Sequence, residues 1–383
     1  MAGDFATCHR RTARPGGQQA VRKRAMRYGW EITRSDTENG SLQGNGSMHN
    51  ATSGAGARGA LTPGTLALVV GVFLVQLGFL LSYIGSFHHP DPQGIPVAVV
   101  APQQAADRLD GLPGHPLEPT VAEDEQAARE RIEQRDAEGA YVMDPRGGQD
   151  TLLIASAAGG PQAQALRRVG EKVAAEQDRR LKVVDIAPSG DRDYESLTAF
   201  YLIVGWLVGG YLLASLLGVV AGTRPARPEA GALRLAGVAV YSVLSGLGGA
   251  IIVDPVLHAL PHHFVALWWL GALLVFATAA CTMALEAFCG IVGIGLAVLI
   301  FVVLGNPSAG GAFQKHLVPT FWRAIGDWIP TGAGTTAVRN IVYFSGNALG
   351  TPLLVLAVWA LAGTVLLLAG SVRRREPGLT LPI

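Results

Sequence analysis

The chain has three cysteines in 383 residues, Cys8, Cys281 and Cys289. None falls in the long polar stretch that separates its apolar runs, so no disulfide framework holds that stretch. Cys281 and Cys289 lie in apolar sequence and read as small packing residues. There is no GxxxxGK[ST] pattern, which excludes ATP hydrolysis by a P-loop of the chain's own. Charge is sparse, at 15% of residues with a net charge of +1. This balance gives no pointer to nucleic acid, and no nucleic-acid partner is expected. The polar stretch holds a single histidine, His115, and no Ser, His and Asp arrangement. An enzyme is therefore not expected, and no catalytic, cofactor-binding or metal-binding residue is assigned.

Long apolar runs are abundant. A helix of about 20 apolar residues crosses a bilayer because it satisfies its own backbone polar groups. Six spans are expected, near Leu66–Phe87, Leu197–Ala221, Leu233–Val253, Phe264–Met283, Phe288–Leu304 and Leu349–Gly370. Arg22, Lys23, Arg24, Arg27, Arg34 and Arg58 precede the first run, Arg224, Arg227 and Arg234 follow the second, and Arg373, Arg374 and Arg375 follow the last. The short loop before Phe264 has no Lys or Arg. The positive-inside rule then puts both termini in the cytoplasm of a multi-pass plasma-membrane protein.

The expected fold is an α-helical polytopic membrane protein: one span, an extracytoplasmic α/β domain, then a five-span bundle. Residues 1–60, rich in Gly, Ser, Asn and Arg, read as a disordered basic cytoplasmic tail. Residues 61–88 hold the first span, read as an anchor and not a cleaved signal peptide. Residues 89–195 form the external domain, 196–372 the five-span domain, and 373–383 a second basic tail.

Within the external domain, Ile95–Val100, Leu117–Val121, Ala140–Met143, Leu152–Ala155 and Leu181–Ile186 read as strands. Gln103–Leu109, Glu123–Arg135 and Pro161–Gln177 read as helices. In 305–348, Asn306-Pro307-Ser308 breaks the helix. Leu317–Ile329 and Thr335–Phe344 then read as interfacial helices, filling 312–345, with Phe321, Trp322 and Trp328 beside Lys315, Arg323 and Arg339.

These residues carry a resemblance. The stretch Glu286–Gly295, the run Asn306-Pro307-Ser308-Ala309-Gly310-Gly311, and Pro319 with Phe321-Trp322 make up its first part. Pro330 with Gly332-Ala333, and Arg339-Asn340 with Tyr343-Phe344, complete it. Together with the one-plus-five layout, the chain resembles bacterial permease subunits of the ABC type-2 exporter class, in the YhgE/Pip-like branch. The resemblance covers about residues 62–372. It implies a homo- or heterodimer in the lipid bilayer, served by a separate cytoplasmic ATPase subunit. By the same resemblance the ATPase would meet the Arg22–Arg34 region and the Arg224–Arg234 loop. That loop, TRPARPEAGALR, departs from the pattern in being short and Pro-rich.

Two functions follow. One is a permease subunit that moves a hydrophobic or amphipathic substrate outward with a separate ATPase. The other is a non-ABC protein of the same fold, acting in envelope assembly, secretion or phage adsorption through its external domain. Single residues open narrower alternatives. Glu286 is the one acidic residue in a long apolar stretch; it either caps a cytoplasmic turn in water or relays protons. Asp254-Pro255 ends the third span, either as a helix terminus or as a substrate contact. His88, His89, His115, His258, His262, His263 and His316 gather on the outer side, as interfacial polar residues or as a zinc- or pH-sensing cluster.

Overall fold

The computed structural model describes residues 62–372. The tails at 1–60 and 373–383, with Cys8 and Arg22–Arg34, lie outside the described residues. In chain order the helices and strands are α1 (Pro63–Phe87), β1 (Ile95–Val100), α2 (Gln103–Asp110), β2 (Leu117–Val121), α3 (Glu125–Glu133), β3 (Gly139–Val142), β4 (Gln149–Ile154), α4 (Gly160–Glu176) and β5 (Arg180–Asp185). There follow α5 (Thr198–Ala221), α6 (Pro228–Ile251), α7 (Phe264–Cys289), α8 (Val292–Ser308), α9 (Thr320–Gly326), α10 (Pro330–Tyr343) and α11 (Gly350–Val372).

Five of these, α1, α5, α6, α7 and α11, are long and apolar enough to cross a membrane. The chain is thus mostly helical, with an α/β sheet region set between the first and second of them. The run Phe288–Leu304, expected as the fifth of six spans, is a shorter helix than its neighbours. It starts only at Val292, because Gly290 turns the chain with φ +63°. It winds as a π-helix over Leu299–Leu304 and stops at Ser308.

The α/β unit follows from its alternation. Successive residues of a strand face opposite sides. Val97 and Val99 therefore join Tyr141, Leu152 and Ile154 beneath α2 and α4, where Leu109, Leu166 and Val173 complete one core. Ala98, Ala140 and Leu153 face the other way, onto Ala128 and Ile132 of α3. The strand order is β2-β1-β3-β4-β5, parallel except for the β3–β4 pair. Asp124 caps α3 by accepting from the Ala127 N–H at 2.8 Å, as short acidic residues do at a helix start. Burying Ile132 or Leu153 contributes about 2 kcal/mol each relative to water.

Between apolar helices in lipid that driving force is absent, and close packing takes its place. Helix α7 is the centre of the bundle, with Leu267, Leu274, Ala277 and Ala280 sealed from its surroundings. Gly246 of α6 lets the two backbones meet: a Cβ there would overlap the carbonyl oxygen of Trp268 and lie 2.6 Å from the Ala272 nitrogen. Trp206 and Trp268 donate their indole N–H groups to the Ser245 and Val243 carbonyls, at 3.1 and 2.8 Å. Cys281 is buried, with its thiol on the Trp359 carbonyl at 3.0 Å. Cys289, expected in the packing, is exposed because it is the last residue of α7. Helix α1 lies at the edge of the bundle: Asn306 donates to its Tyr83 hydroxyl at 2.8 Å and its Ser82 donates to the Val303 carbonyl, while Leu66, Val72, Phe73, Leu81 and Ile84 are all exposed.

Candidate functional site

The polar chemistry collects where the α/β unit meets the bundle. Arg135 ends the turn after α3 with φ +67°. It forks onto Glu138 with two bonds of 3.1 Å. Its guanidinium carbon lies 4.5 Å above the Phe344 ring, at the end of α10. Phe344 therefore plugs the second core of the sheet. Burial works to raise the Glu138 carboxyl, but Arg135, then His316 and Lys315, hold it below the ordinary range. His316, buried with its Nε2 unpartnered, is pushed below the usual imidazole value, chiefly by that burial.

Arg339, on α10, sits deeper and is 6% exposed. It donates to the Gly310 carbonyl at 2.6 Å, to the Ser196 carbonyl at 3.1 Å and to the Ser196 hydroxyl at 3.3 Å. The same hydroxyl donates to the Ala157 carbonyl at 2.7 Å. One side chain thus ties α10, the turn after α8, the entry to α5 and the loop after β4. Burial first, then the nearby Arg135 charge, lowers its pKa to about 10, so it stays a cation at neutral pH. Its counter-charge is Asp193, whose oxygens accept from the Tyr343 hydroxyl at 2.6 Å and from the Thr198 N–H at 2.8 Å. Burial, then the bond to Asp193, raises the Tyr343 phenol.

These residues line a half-open chamber of about 260 Å³. Arg135, Glu138 and Gln162 line it from the α/β unit, and Gln314, Arg339 and Asn340 from the segment between α8 and α11. Lys315 and Asp327, half-exposed and 3.6 Å apart, mark its mouth. Thr351 and Pro352, at the head of α11, also line it. The side-chain oxygens of two lining residues, Gln162 Oε1 and Asn340 Oδ1, are buried without a partner and are closed off from its space.

The other sequence candidates lie elsewhere. Glu286 does not cap a turn in water. Helix α7 continues past it to Cys289, and the carboxylate is turned inward against Gly218 of α5, 1% exposed. It lies near the last turn of α7, at the other end of that helix from Trp268, and is not among the residues lining the chamber. Asp254 lies in a π-helical turn, Ile252–Val256, that extends α6. Among the described residues no group of three His, Cys, Asp or Glu is placed to hold a metal ion. Leu317–Ile329, expected as one helix, is broken: only Thr320–Gly326 is α-helical, after Pro319, which fixes an extended φ/ψ at the cap. Of the residues expected in one ATPase-facing loop, Arg224 lies in the connection 222–227 and donates to the Phe288 carbonyl, whereas Arg234 lies on α6, because Pro228 starts that helix, and donates to the Ala221 and Gly222 carbonyls.

Asp193, Gln162 and Gln314 were not singled out in the sequence. They sit in ordinary polar stretches, and only the fold brings them to Arg339. No family model, no curated protein and no solved structure matches the chain.

Proposed function

We propose that this chain is the membrane-embedded permease subunit of an ABC type-2-like exporter, moving a hydrophobic or amphipathic substrate outward with a separate ATPase. One observation carries the reading. The residues that resemble that class converge in three dimensions: Ser308, Ala309, Gly310, Gly332, Ala333, Arg339 and Asn340 come from three separate motifs and line one chamber. The chamber stands at the end of the bundle that bears the α/β unit, which this reading sets outside the cell; with the shorter α8 as the sixth crossing, it sets both termini in the cytoplasm. The exposed apolar face of α1 suits lipid, or the second permease of the homo- or heterodimer that this reading includes. A chemical step is no part of the proposal.

The Arg224–Arg234 loop would face the ATPase. Between α5 and α6 only 222–227 are free of helix. This short connection favours the second reading, a non-ABC protein of the same fold working in envelope assembly, secretion or phage adsorption. The test is efflux. Cells that produce the chain should retain less of a fluorescent amphiphile than cells that lack it, and replacement of the Arg224–Arg234 loop should restore retention. Equal retention in all three strains rejects export.

A further inference from the structure

Helix α1 holds one amide side chain, Gln76, near the middle of its 25 residues, and no charged one. Its other polar side chains are provided for. The Thr65 hydroxyl lies 2.9 Å from that of Thr62, and Ser82 donates to the Val303 carbonyl of α8. Tyr83 accepts from Asn306 at 2.8 Å, and Ser86 donates to the Tyr83 carbonyl at 3.2 Å. Gln76 is exposed, and among the described residues its amide makes no hydrogen bond. At about 1.5 Å per residue it stands about 15–20 Å from either end of the helix. That is farther than the side chain reaches, so it cannot turn back to water at a membrane surface. Lipid chains offer an amide neither donor nor acceptor, and an unmet polar group there is costly.

The bundle does not meet this need. Helix α1 turns Gly78, Ser82 and Tyr83 toward α8, with the Val303 methyl 3.9 Å from where a Cβ on Gly78 would stand. At about 100° per residue, Gln76 lies about 120° around the helix from Ser82. Val69, Phe73, Gln76 and Leu80 follow one another at spacings of four, three and four, which places them on one helix face. All four are exposed. The face is an apolar seam with a single polar group at its centre.

We infer that this face of α1 pairs with the same face of a second copy of the chain. The chemistry of Gln76 selects that occupant over lipid. A primary amide carries both an N–H donor and an oxygen acceptor, so it is complementary to itself. In a two-fold contact the same patch serves both subunits, and a residue on the axis meets its own copy. Gln76 and Gln76 of the partner subunit then satisfy each other with two reciprocal N–H···O bonds, while Val69, Phe73 and Leu80 pack around them. The inference deepens the dimer of the export reading and rests on α1 crossing the membrane.

Full-length protein is labelled with a fluorophore and reconstituted in phosphatidylcholine vesicles at a series of dilutions. Copies per complex are counted by single-molecule photobleaching. A dimer is expected, and Gln76→Leu should weaken it about three- to thirty-fold. Gln76→Asn, which keeps the amide, should restore most of the pairing. The leucine variant loses no contact within the chain, so its thermal midpoint should hold. A second measurement locates the seam. With Cys8 and Cys289 replaced by serine, Phe73→Cys should form an intermolecular disulfide under mild oxidation. Leu81→Cys, exposed on another face of α1, should not. Single copies at every dilution, undiminished pairing of Gln76→Leu, or equal cross-linking at both cysteine positions overturns the assignment. A chain that stays single yet associates with a P-loop ATPase loses this interface and keeps export. A dimer without an ATPase keeps the interface and loses export.

Discussion

The Tyr343 hydroxyl donates to Asp193 Oδ2 at 2.6 Å, joining residues 150 positions apart. Tyr343 belongs to α10 and Asp193 to the strand-to-helix connection before α5, so this bond fastens the α/β unit to the bundle. The Gly190 N–H donates to the same hydroxyl at 3.3 Å. Tyr343→Phe removes a charge-assisted bond and leaves a buried carboxylate oxygen bare. It should cost about 2 kcal/mol and lower the thermal midpoint by several degrees. An unchanged midpoint in detergent would show that the contact does not hold the two parts together.

Helix α6 supplies a matched pair of glycines. Gly246→Ala forces a methyl group into the backbone of α7 and should destabilise the bundle by about 1–3 kcal/mol or more. Gly237→Ala has no atom within 4 Å of the new carbon. It should be neutral or stabilise by up to about 1 kcal/mol, as alanine does in a helix interior. Thermal unfolding of both variants checks the packing of α6 on α7; equal behaviour would contradict it.

The junction should be sensitive to acid. His316 has its folded pKa lowered by burial, so the unfolded chain takes up a proton before the folded one does. Stability is full above the free imidazole value of about 6.5 and falls as the pH drops through it. Glu138, also lowered, adds a second loss at more acidic pH, as its carboxylate is protonated. Midpoints recorded from neutral to mildly acid pH should fall, and His316→Asn should flatten the first part of that slope. An identical slope in the variant would remove His316 from the account.

Much of this architecture was legible in the sequence. The five strands of the α/β unit lie at the short apolar runs bounded by turn residues, with ends displaced by a few residues. The long apolar helices were legible because nothing else satisfies their backbone in lipid. The burial of Glu286 was not legible, because it depends on Gly218 of another helix leaving room for the carboxylate. Nor was the chamber. Arg339 stood out as a cation among interfacial aromatics and as part of the Arg339-Asn340 motif, but not as a partner of Gln162, which lies 152 residues before Gln314. Sequence pattern shows which face of an element is apolar, but not which distant polar groups share a cavity.

Arg339→Lys tests whether the buried guanidinium acts as a fork or as a charge. Lysine keeps the charge but cannot reach Gly310 and both Ser196 oxygens in one plane. Protease cleavage between the α/β unit and the bundle should quicken in this variant. Cleavage at the wild-type rate would mean that charge alone suffices.

The export reading stands or falls most directly on what accompanies the protein. Tagged protein is drawn from its native membrane in mild detergent, and its companions are identified by mass spectrometry. The account predicts a stoichiometric P-loop ATPase that is lost when the Arg224–Arg234 loop is replaced. Recovery of only further copies of the chain, or of envelope-secretion components, would contradict it and shift the function onto the α/β unit.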